Sequence, residues 1–442
     1  MVPDAVILAG GLATRLGDLA SATPKCLMPV AGRPFIDHLL WNLRRHGVRR
    51  VVLAVGRLGD QVESHIGDGS AFGLEAVYSR EESAMGTGGA LALAADHVTT
   101  NEAFVLNGDS LFDVNVLDLA VRLRASAPSG VRAVISLREV EDASRYGSVR
   151  LAAGVGPEAA GAAGPKAAGA AGPKAAVVAG AEAAGGGGAA SPGDACVAAF
   201  DEKGVSGPGL VSGGVYCVAA SLLRELQVTP HSLETEVFPR LVVEGQLAGA
   251  VYDGLFIDIG VPDSLDQAQA AVAGWRRRPV AFLDRDGVLN QDVNYVHKPE
   301  QVEWLPGAIE AVRELNDAGY LVMVMTNQAG IGRGFYTEDD FEQFTSWMAD
   351  RLADAGAHID AVYHCPHHPT EALPAWRVDC ECRKPQPGMF LRALAEWDVD
   401  VERSFMVGDK PGDLEAARGA GISRGVLFTG GDLRTAVHSL MG

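Results

Sequence analysis

Short apolar runs alternate with helix-length amphipathic stretches along most of the chain. The apolar runs are Ala5–Leu8, Val51–Val55, Ala103–Leu106, Val131–Leu137, Val280–Leu283, Leu321–Met325 and Ser404–Val407. Apolar strands separated by helices are typical of sheets that helices cover and in which neighbouring strands run parallel. The pattern therefore predicts an α/β protein with mainly parallel sheets.

One long segment, residues 151–195, departs from this pattern. It consists mostly of Ala, Gly and Pro and contains the repeat AAGPKAAGAAGPKAA. Because it has few large apolar side chains with which to build a core, we expect it to be disordered. The flanking sequences, YGSVRL before it and VAAFDEKG after it, read as two strands of one hairpin. We therefore interpret the segment as an insertion within a domain.

Length and composition indicate two globular domains. The chain has 442 residues, 48% of them hydrophobic and 21% charged, and one core rarely organises so many. The stretch GWRRRP at Gly274–Pro279 is basic, ends in proline and directly precedes an apolar run, which is typical of a hinge. We expect a first domain at residues 1–274, a linker at residues 275–279 and a second domain at residues 280–442.

The charge of the chain limits its partners. Its formal net charge is -19 at pH 7, and it has no basic run that could neutralise the phosphates of a nucleic acid or an anionic membrane. No apolar stretch approaches the length of a membrane span, and the N-terminal one has the length of a strand. We expect a cytoplasmic protein that binds small molecules, with no nucleic-acid or membrane partner. Its oligomeric state is left open.

A glycine-rich motif, LAGGLATRLGDLASATPK, follows the first apolar run. The backbone amides of Gly10 and Gly11 can approach phosphate oxygens because no Cβ is in the way. Arg15 and Lys25 would offset the charge of a triphosphate. A glycine pair alone is more often a plain turn, but its spacing to Arg15 and to Pro24-Lys25 favours a phosphate site.

Two aspartates follow other apolar runs of the first domain. Asp109 stands in NGD after Ala103–Leu106, and Asp258 stands in LFIDIGVPDS. Ligands of open α/β sheets bind at the carboxyl ends of the strands, and carboxylates there are natural ligands of Mg²⁺. Each aspartate, taken singly, could equally be a cap or turn residue. Together they predict a magnesium site.

In the second domain, three apolar runs each end at a reactive group. Asp284 follows Ala281–Leu283, Thr326 and Asn327 follow Leu321–Met325, and Asp409 follows Phe405–Val407. If the strands are parallel, these groups meet at one sheet edge. Asp286 stands two positions after Asp284, and paired carboxylates suit a reaction in which one attacks while the other carries a proton.

Cysteines and histidines crowd into one stretch of the second domain. Four of them have the spacing of a closed tetrahedral Zn²⁺ site: Cys365, His367, Cys380 and Cys382. The alternative is a surface loop with free thiols. Four protein ligands leave no position for water, so we interpret the zinc as structural. It would fold the loop that carries Arg383 and Lys384.

The first domain, Met1 to about Ala273, resembles the sugar-1-phosphate nucleotidyltransferases. SRYGSV, VSGGVYCV and FIDIGVPDSL make it most similar to the D-glycero-α-D-manno-heptose 1-phosphate guanylyltransferase group. The resemblance implies a Rossmann-like fold with a mixed sheet. One departure from the family motif is Ala13, where glycine is usual; if that position has positive φ, alanine costs on the order of 1 kcal/mol.

The same resemblance implies roles for individual residues. Those that would handle the triphosphate are Gly10, Gly11, Arg15 and Lys25. Gly86, in AMGTGGAL, would lie beside the base. Asp109 and Asp258 would hold Mg²⁺, while Glu202 and Lys203 would meet the sugar phosphate.

The second domain, about Pro279 to Met441, resembles the haloacid dehalogenase phosphatases, because D-x-D-G, TNQ, RKP and GDKPGD occur in that order. Its zinc loop makes it most similar to the D-glycero-D-manno-heptose 1,7-bisphosphate 7-phosphatases, although histidinol-phosphate phosphatases share that loop. The resemblance implies a Rossmannoid fold, with Asp284 as the nucleophile and Asp286 as the acid and base.

Further roles follow from this second resemblance. Thr326 and Lys384 would bind the transferring phosphoryl group, and Asn327 and Arg383 would contact the substrate. The Mg²⁺ ligands would be Asp284, Asp409 and the backbone carbonyl of Asp286.

The fusion favours one pair of activities. A heptose 7-phosphatase makes a heptose 1-phosphate, which is the acceptor of a heptose nucleotidyltransferase, whereas histidinol has no use for nucleotidyl transfer. We expect a bifunctional enzyme that makes a nucleotide-activated heptose, with GTP favoured and ATP possible as the donor. The alternatives are another sugar 1-phosphate, a histidinol-phosphate-type phosphatase domain, or a regulatory binding protein with inactive sites.

Overall fold

A computed structural model describes residues 1–11, 23–144, 147–152, 195–200 and 207–441. Its strands form two large sheets that belong to two successive parts of the chain. The first sheet has nine strands in the order β5-β4-β1-β6-β11-β8-β12-β10-β9, and the second has five in the order β16-β15-β14-β17-β18. The chain therefore forms two α/β domains, as the apolar pattern predicts.

In its described residues, the N-terminal domain contains the first thirteen strands and seven helices. The strands are β1 (Asp4–Leu8), β2 (Pro29–Val30), β3 (Arg33–Pro34), β4 (Arg50–Val55), β5 (Glu75–Arg80), β6 (Glu102–Asn107), β7 (Ser110–Phe112), β8 (Ala133–Val140), β9 (Ser148–Leu151), β10 (Ala195–Phe200), β11 (Gly209–Ala219), β12 (Leu247–Val251) and β13 (Phe256–Asp258). The helices are α1 (Phe35–Arg45), α2 (Gly59–Ile66), α3 (Gly86–Ala94), α4 (Val116–Ser126), α5 (Ala220–Glu225), α6 (Phe238–Val243) and α7 (Pro262–Arg276).

The large sheet of this domain is mixed. Strands β5, β4, β1 and β6 run parallel, whereas β11 is antiparallel to both β6 and β8. Alternate residues of each strand face opposite sides of the sheet, so two cores form: Ile7 lies in one and Val6 in the other. A mixed sheet is what the resemblance implies. The parallel pairing that the apolar pattern predicts therefore holds for only part of this domain.

The hairpin predicted around the long insertion is confirmed. β9 and β10 pair antiparallel, with Val197 opposite Leu151 and Phe200 opposite Val149. Val149 and Val197 are both buried. Most of the predicted insertion, residues 153–194, lies outside the described residues.

The C-terminal domain has a fully parallel sheet. Its strands are β14 (Val280–Leu283), β15 (Leu321–Asn327), β16 (Ala361–Cys365), β17 (Phe405–Gly408) and β18 (Arg424–Leu427). Its helices are α8 (Ala308–Asp317), α9 (Ala329–Gly332), α10 (Glu338–Asp354), α11 (Gly388–Glu396), α12 (Pro411–Gly419) and α13 (Leu433–Met441). Separate cores fill the two faces of the sheet. Because all five strands are parallel, their carboxyl ends lie along one edge.

The basic stretch before β14 is not a free hinge. α7 continues to Arg276, and the Arg278 side chain is buried and ion-paired with Asp113 at 2.6 Å. The basic residues therefore anchor the connection instead of loosening it. Among the described residues, no helix is both long enough and apolar enough to cross a membrane.

Candidate active sites

A cavity of about 620 Å³ opens at the carboxyl ends of the four parallel strands β1, β4, β5 and β6 of the N-terminal domain. Gly10 and Gly11 line it after β1, Gly56 and Arg57 after β4, and Asp109 after β6. The cavity has the size of ordinary small-molecule sites and lies where open α/β sheets bind ligands. The structure thus brings the predicted glycine pair and Asp109 to one place.

Lys25 joins this group through an ion pair. Its Nζ lies 2.5 Å from Asp109 Oδ2. Asp258 is adjacent, because β13 pairs with β7 so that Asp258 stands opposite Ser110, and the amide of Ile259 donates to the carbonyl of Asp109 at 3.0 Å. Two carboxylates and an ammonium group at one sheet edge form a donor set that suits a hard cation and a phosphate chain.

Gly86 lines the same cavity at the start of α3. Its φ is +67°, and an added Cβ would lie 2.4 Å from the carbonyl oxygen of His231. Any side chain would have to displace backbone, so only glycine fits this position without strain. The predicted residue therefore lies in the cavity, and its conformation explains why it is glycine.

Glu81 is a cavity residue that the sequence analysis missed. It follows β5, is half-buried, and accepts a hydrogen bond from the amide of Met85 at 2.9 Å. Burial raises the pKa of its carboxyl above the ordinary value. Its place directly after a parallel strand was a signal that could have found it. Four other residues singled out from the sequence lie outside the described residues: Ala13, Arg15, Glu202 and Lys203.

The C-terminal domain brings its predicted nucleophile into a buried charge cluster. Asp284 and Lys384 are each 6% exposed, and Lys384 Nζ lies 2.9 Å from Asp284 Oδ2 and 2.7 Å from Asp413 Oδ1. Burial raises the pKa of the Asp284 carboxyl to about 7, and the ammonium group of Lys384 opposes that rise. The positive charge of Lys384 thus offsets the negative charges of Asp284 and Asp413, whose ionised forms burial would otherwise disfavour.

Asp286 is held by three polar side chains. Arg285 forms an ion pair with it at 2.8 Å, Asn290 Nδ2 donates to its Oδ1 at 3.0 Å, and Gln328 Nε2 donates to its Oδ2 at 3.1 Å. Gln328 Nε2 also donates to the hydroxyl of Thr326 at 2.7 Å. The predicted acid and one predicted phosphoryl-binding residue therefore share one amide group as their support.

Three carboxylates can converge on a cation beside the nucleophile. Asp284, Asp409 and Asp413 offer oxygens that lie within 4.8 Å of one another. Asp413 is already bound by Lys384 and by the amide of Lys410 at 2.9 Å, whereas buried Asp409 Oδ1 has no hydrogen-bond partner in the described part of the chain. Asp409 Oδ1 is therefore available to a cation, and Asp284, the other predicted ligand, offers oxygens in the same cluster although Lys384 also contacts it, so the two fit a magnesium ion.

Sequence reasoning missed Asp413 and Gln328. Asp413 is the last residue of GDKPGD, and its place one turn into α12 was a usable signal. Nothing in the sequence alone indicates that the Gln328 side chain reaches Asp286, because the two lie 42 positions apart.

The predicted zinc ligands converge as well. The three Sγ atoms of Cys365, Cys380 and Cys382 lie 3.3 to 3.5 Å apart, and His367 Nδ1 lies 3.4 Å from Cys382 Sγ. Ligand atoms at the corners of a tetrahedron around zinc are separated by roughly 3.7 Å, given bonds of about 2.3 Å. The four residues therefore fit a zinc ion.

The loop that carries the four candidate zinc ligands is hydrogen-bonded to the loop that carries Lys384. Arg383 Nη1 donates to the carbonyl of His367 at 3.1 Å, and Asn327 forms two hydrogen bonds with the backbone of Lys384 at 3.1 and 3.2 Å. Asn327 thus fixes the backbone that aims Lys384 at Asp284. In this structure Arg383 and Asn327 serve to position the loop.

Two families match different parts of the chain. Residues 4–160 match the nucleotidyl transferase family, and residues 381–439 match the HAD-hydrolase-like family. Together with the cavity and the buried carboxylate cluster, these matches define the class of protein. It is a two-domain enzyme that joins a nucleotidyltransferase to a phosphatase.

Relatives of the second domain define its family. The D-glycero-beta-D-manno-heptose-1,7-bisphosphate 7-phosphatase of Rhodopseudomonas palustris is 49% identical over 165 residues, which are 37% of this chain and 91% of that protein. The enzyme of the same name from Pasteurella multocida is 50% identical over 150 residues, 34% of this chain and 81% of that protein. Through its C-terminal domain, the chain belongs to the D-glycero-beta-D-manno-heptose-1,7-bisphosphate 7-phosphatase family.

A solved structure is also similar to part of this chain. HddC from Yersinia pseudotuberculosis is 24% identical, with a TM-score of 0.47, and the match covers 61% of this chain and 100% of HddC.

Proposed function

We propose that this protein is a bifunctional enzyme of nucleotide-activated heptose synthesis. Its C-terminal domain removes the 7-phosphate of D-glycero-D-manno-heptose 1,7-bisphosphate. Its N-terminal domain then transfers a nucleotidyl group from a nucleoside triphosphate to the heptose 1-phosphate and releases pyrophosphate. The observation that carries the proposal is the 49% identity across 91% of a heptose bisphosphate 7-phosphatase, joined in one chain to a nucleotidyl transferase domain.

In the phosphatase reaction, Asp284 attacks the 7-phosphate and forms an aspartyl-phosphate. Asp286 protonates the leaving hydroxyl and later removes a proton from the attacking water. Lys384 and the hydroxyl of Thr326 bind the phosphoryl oxygens. The buried Lys384 supports this role because its ammonium group already lies 2.9 Å from Asp284.

In the transferase reaction, an oxygen of heptose 1-phosphate displaces pyrophosphate at the α-phosphate of the nucleotide. Both partners are anionic, so the site must neutralise charge and align the groups more than it must supply a base. Lys25 and the amides of Gly10 and Gly11 hold the triphosphate, and Gly86 lies beside the base. Arg15, Glu202 and Lys203 complete the site in this proposal.

Each site takes its own metal ion. Asp109 and Asp258 hold Mg²⁺ in the N-terminal domain, and Asp284, Asp409 and the carbonyl of Asp286 hold it in the C-terminal domain. When bound, Mg²⁺ neutralises charge on the reacting phosphate. Cys365, His367, Cys380 and Cys382 hold a structural Zn²⁺, because thiolates select zinc whereas carboxylates select magnesium. Thiol ligands of this kind suit a reducing compartment, so we place the enzyme in the cytoplasm.

The domain limits in this proposal are residues 1–274 and 280–442, with a linker at residues 275–279.

GTP is the favoured donor and ATP the second candidate. The phosphatase relatives are named for the β-bisphosphate, whereas the first domain resembles a group that uses an α-heptose 1-phosphate. The anomer is therefore a variable of the test.

The test incubates the purified enzyme with either anomer of heptose 1,7-bisphosphate and with GTP, ATP, CTP or UTP, each with Mg²⁺. Phosphate and pyrophosphate are measured separately. We expect phosphate release from heptose bisphosphate without nucleotide. Pyrophosphate release should require both heptose bisphosphate and either GTP or ATP. Histidinol phosphate replaces the bisphosphate as the control for the other phosphatase class. If histidinol phosphate were hydrolysed and heptose bisphosphate were not, the proposal would be rejected.

A further inference from the structure

The C-terminal domain contacts the N-terminal domain through the beginnings of its strands. Asp360, directly before β16, forms an ion pair with Arg45 at 2.8 Å, and the two side chains are 0% and 3% exposed. Arg278, two residues before β14, forms an ion pair with Asp113. Arg278 also donates to the carbonyl of Gly319, two residues before β15, at 3.2 Å. Three adjacent strands thus present their amino ends to the N-terminal domain.

The phosphatase groups lie at the opposite edge of that sheet. Asp284 follows β14, and Thr326 stands near the end of β15. Because strands β14, β15 and β16 are parallel, their carboxyl ends point away from the contact with the other domain. β15 has seven residues and spans roughly 20 Å at about 3.3 Å per residue. The phosphatase site therefore opens on the side of its domain that faces away from the nucleotidyltransferase.

The N-terminal domain contacts its partner domain through residues that do not line its own cavity. The contact face includes the carboxyl end of α1, where Trp41 packs against Trp397 of the other domain with ring centroids 6.0 Å apart. Arg49, directly before β4, donates to Ser346 at 2.6 Å, whereas the cavity is lined by residues that follow β4. Among the described residues, none of the interdomain partners named here lines the nucleotide cavity.

The contact is built to hold this arrangement. The Arg45–Asp360 pair is almost fully buried, so a rotation that parted the two side chains while either stayed buried would leave an unpaired buried charge, which is unfavourable. Trp275, at the end of α7, packs edge to face on Trp41 at 5.2 Å, which ties the connecting helix to the same contact. A rotation that turned the two sites toward each other would have to break both features.

Charge gives the intermediate no guided route either. A sugar phosphate is an anion, and the chain carries a formal net charge of -19 at pH 7. Steering of an anion between two sites requires a continuous positive potential. The excess of acidic over basic residues, 56 against 37, makes the average potential of the chain negative and gives such steering no general support.

We infer that heptose 1-phosphate leaves the phosphatase site into bulk solvent before the nucleotidyltransferase site binds it, so that the fusion couples the two reactions without channelling. This inference rests on the proposed function. It concerns the path of the intermediate and not the identity of either reaction.

The first test is isotope dilution. The complete enzyme converts ¹³C-labelled heptose bisphosphate in the presence of GTP, Mg²⁺ and an excess of unlabelled heptose 1-phosphate, and mass spectrometry measures the label in the nucleotide heptose. Release into solvent predicts that the labelled fraction falls in proportion to the unlabelled excess. A labelled fraction that stays close to its undiluted value overturns the inference.

The second test mixes two full-length variants, Asp284→Asn and Lys25→Ala, each at the concentration of the wild-type enzyme. The mixture then holds as many working phosphatase sites and as many working transferase sites as the wild type, but the two kinds of site are on different chains. We expect the same lag before product appears and the same final rate. A shorter lag or a higher rate for the wild type overturns the inference.

The two half-reactions are assayed alone in both tests. Phosphate release from the bisphosphate and pyrophosphate release from supplied heptose 1-phosphate must both occur before the path can be judged. Failure of a half-reaction rejects the proposed function, whereas protected label with both half-reactions intact rejects only the release of the intermediate.

Discussion

At the scale of single residues, each site is a small set of charges in a position that would be unfavourable without its partners. Asp284 is buried and keeps its place because Lys384 lies between it and Asp413. Asp286 is held in turn by Arg285 and Gln328. The two carboxylates thus have different partners, which suits the separate roles that we propose for them as nucleophile and as acid and base.

Asp284→Asn should abolish phosphatase turnover, by roughly a thousandfold or more, because the amide cannot form the aspartyl-phosphate. The fold should survive, since Lys384 keeps its contact with Asp413. Nucleotidyl transfer from supplied heptose 1-phosphate should remain near the wild-type rate. The measurement is the rate of each half-reaction, with the exposed residue Asp339→Asn as the matched control. Loss of both activities in Asp284→Asn alone would contradict independent sites.

At the scale of elements, loops placed after strands carry the chemistry, and each is fixed by something outside itself. The loop of candidate zinc ligands is joined to the loop that carries Lys384 through Arg383 and Asn327. The hairpin of β9 and β10 closes the base of the long insertion. A change in either element should therefore affect mainly the domain that contains it, and assays of the two activities can detect this difference.

Cys380→Ser should remove about one tightly bound Zn²⁺ per chain, because a serine hydroxyl does not replace a thiolate ligand. Phosphatase activity should fall, since the backbone that aims Lys384 is then less constrained, and nucleotidyl transfer should persist. Metal analysis and both half-reactions check this outcome. Cys196→Ser, at an exposed cysteine of the N-terminal domain, is the control. Full phosphatase activity in Cys380→Ser, or an active wild-type enzyme without zinc, would show that the loop does not depend on the metal.

Replacing residues 153–194 by a short turn should change the melting temperature by no more than a few degrees, because this Ala, Gly and Pro segment has few side chains that could support a core. The β9–β10 pairing is retained in this variant. A longer deletion that also removes β9 and β10 loses the buried Val149 and Val197 and should lower the melting temperature clearly. Equal losses from the two deletions would mean that the inserted segment itself contributes packing.

At the scale of the whole molecule, the two domains dock through buried charges and tilted ring contacts. The rings of His46 and His358 meet across the contact at an angle of 42°, with centroids 4.3 Å apart, and the Arg45–Asp360 pair lies beside them. Burial lowers the pKa of both histidines below 6.5, and the guanidinium of Arg45 lowers the pKa of Asp360, although burial acts in the opposite sense there. The contact is therefore stable when the histidines are neutral and Asp360 is ionised.

Stability should decrease as the pH falls below 6.5. The unfolded chain then takes up protons that the folded histidines refuse, so each histidine contributes a slope of up to about 1.4 kcal/mol per pH unit. Asp360 adds to the loss only below its ordinary pKa of 3.8, since its folded pKa is lower. Urea unfolding between pH 5 and 8 measures the slope.

His46→Phe should flatten this pH dependence, because it keeps an aromatic ring at the contact but no longer titrates. His438→Gln, at an exposed histidine outside the contact, is the matched control. An identical slope in wild type and His46→Phe would remove His46 as a cause of the acid sensitivity.

The sequence by itself determined many of the elements of this protein and singled out candidate residues that the structure brings together. Strands β1, β4, β6, β14 and β15 follow from apolar runs, and their carboxyl ends bring Gly10, Asp109, Asp284 and Thr326 to the sheet edges, because alternation and strand direction are local properties. The hairpin at β9 and β10 was equally readable. Local spacing also brought the four candidate zinc ligands together.

Only the tertiary structure decided how these pieces support one another. Gln328 reaches Asp286 from 42 positions away, and Arg45 meets Asp360 across 315 positions. The polarity of a lone Gln or Arg is satisfied equally well by water, so no local pattern indicates its partner. The direction in which each site opens follows from which strand ends are buried between the domains, and that depends on packing that no single segment encodes.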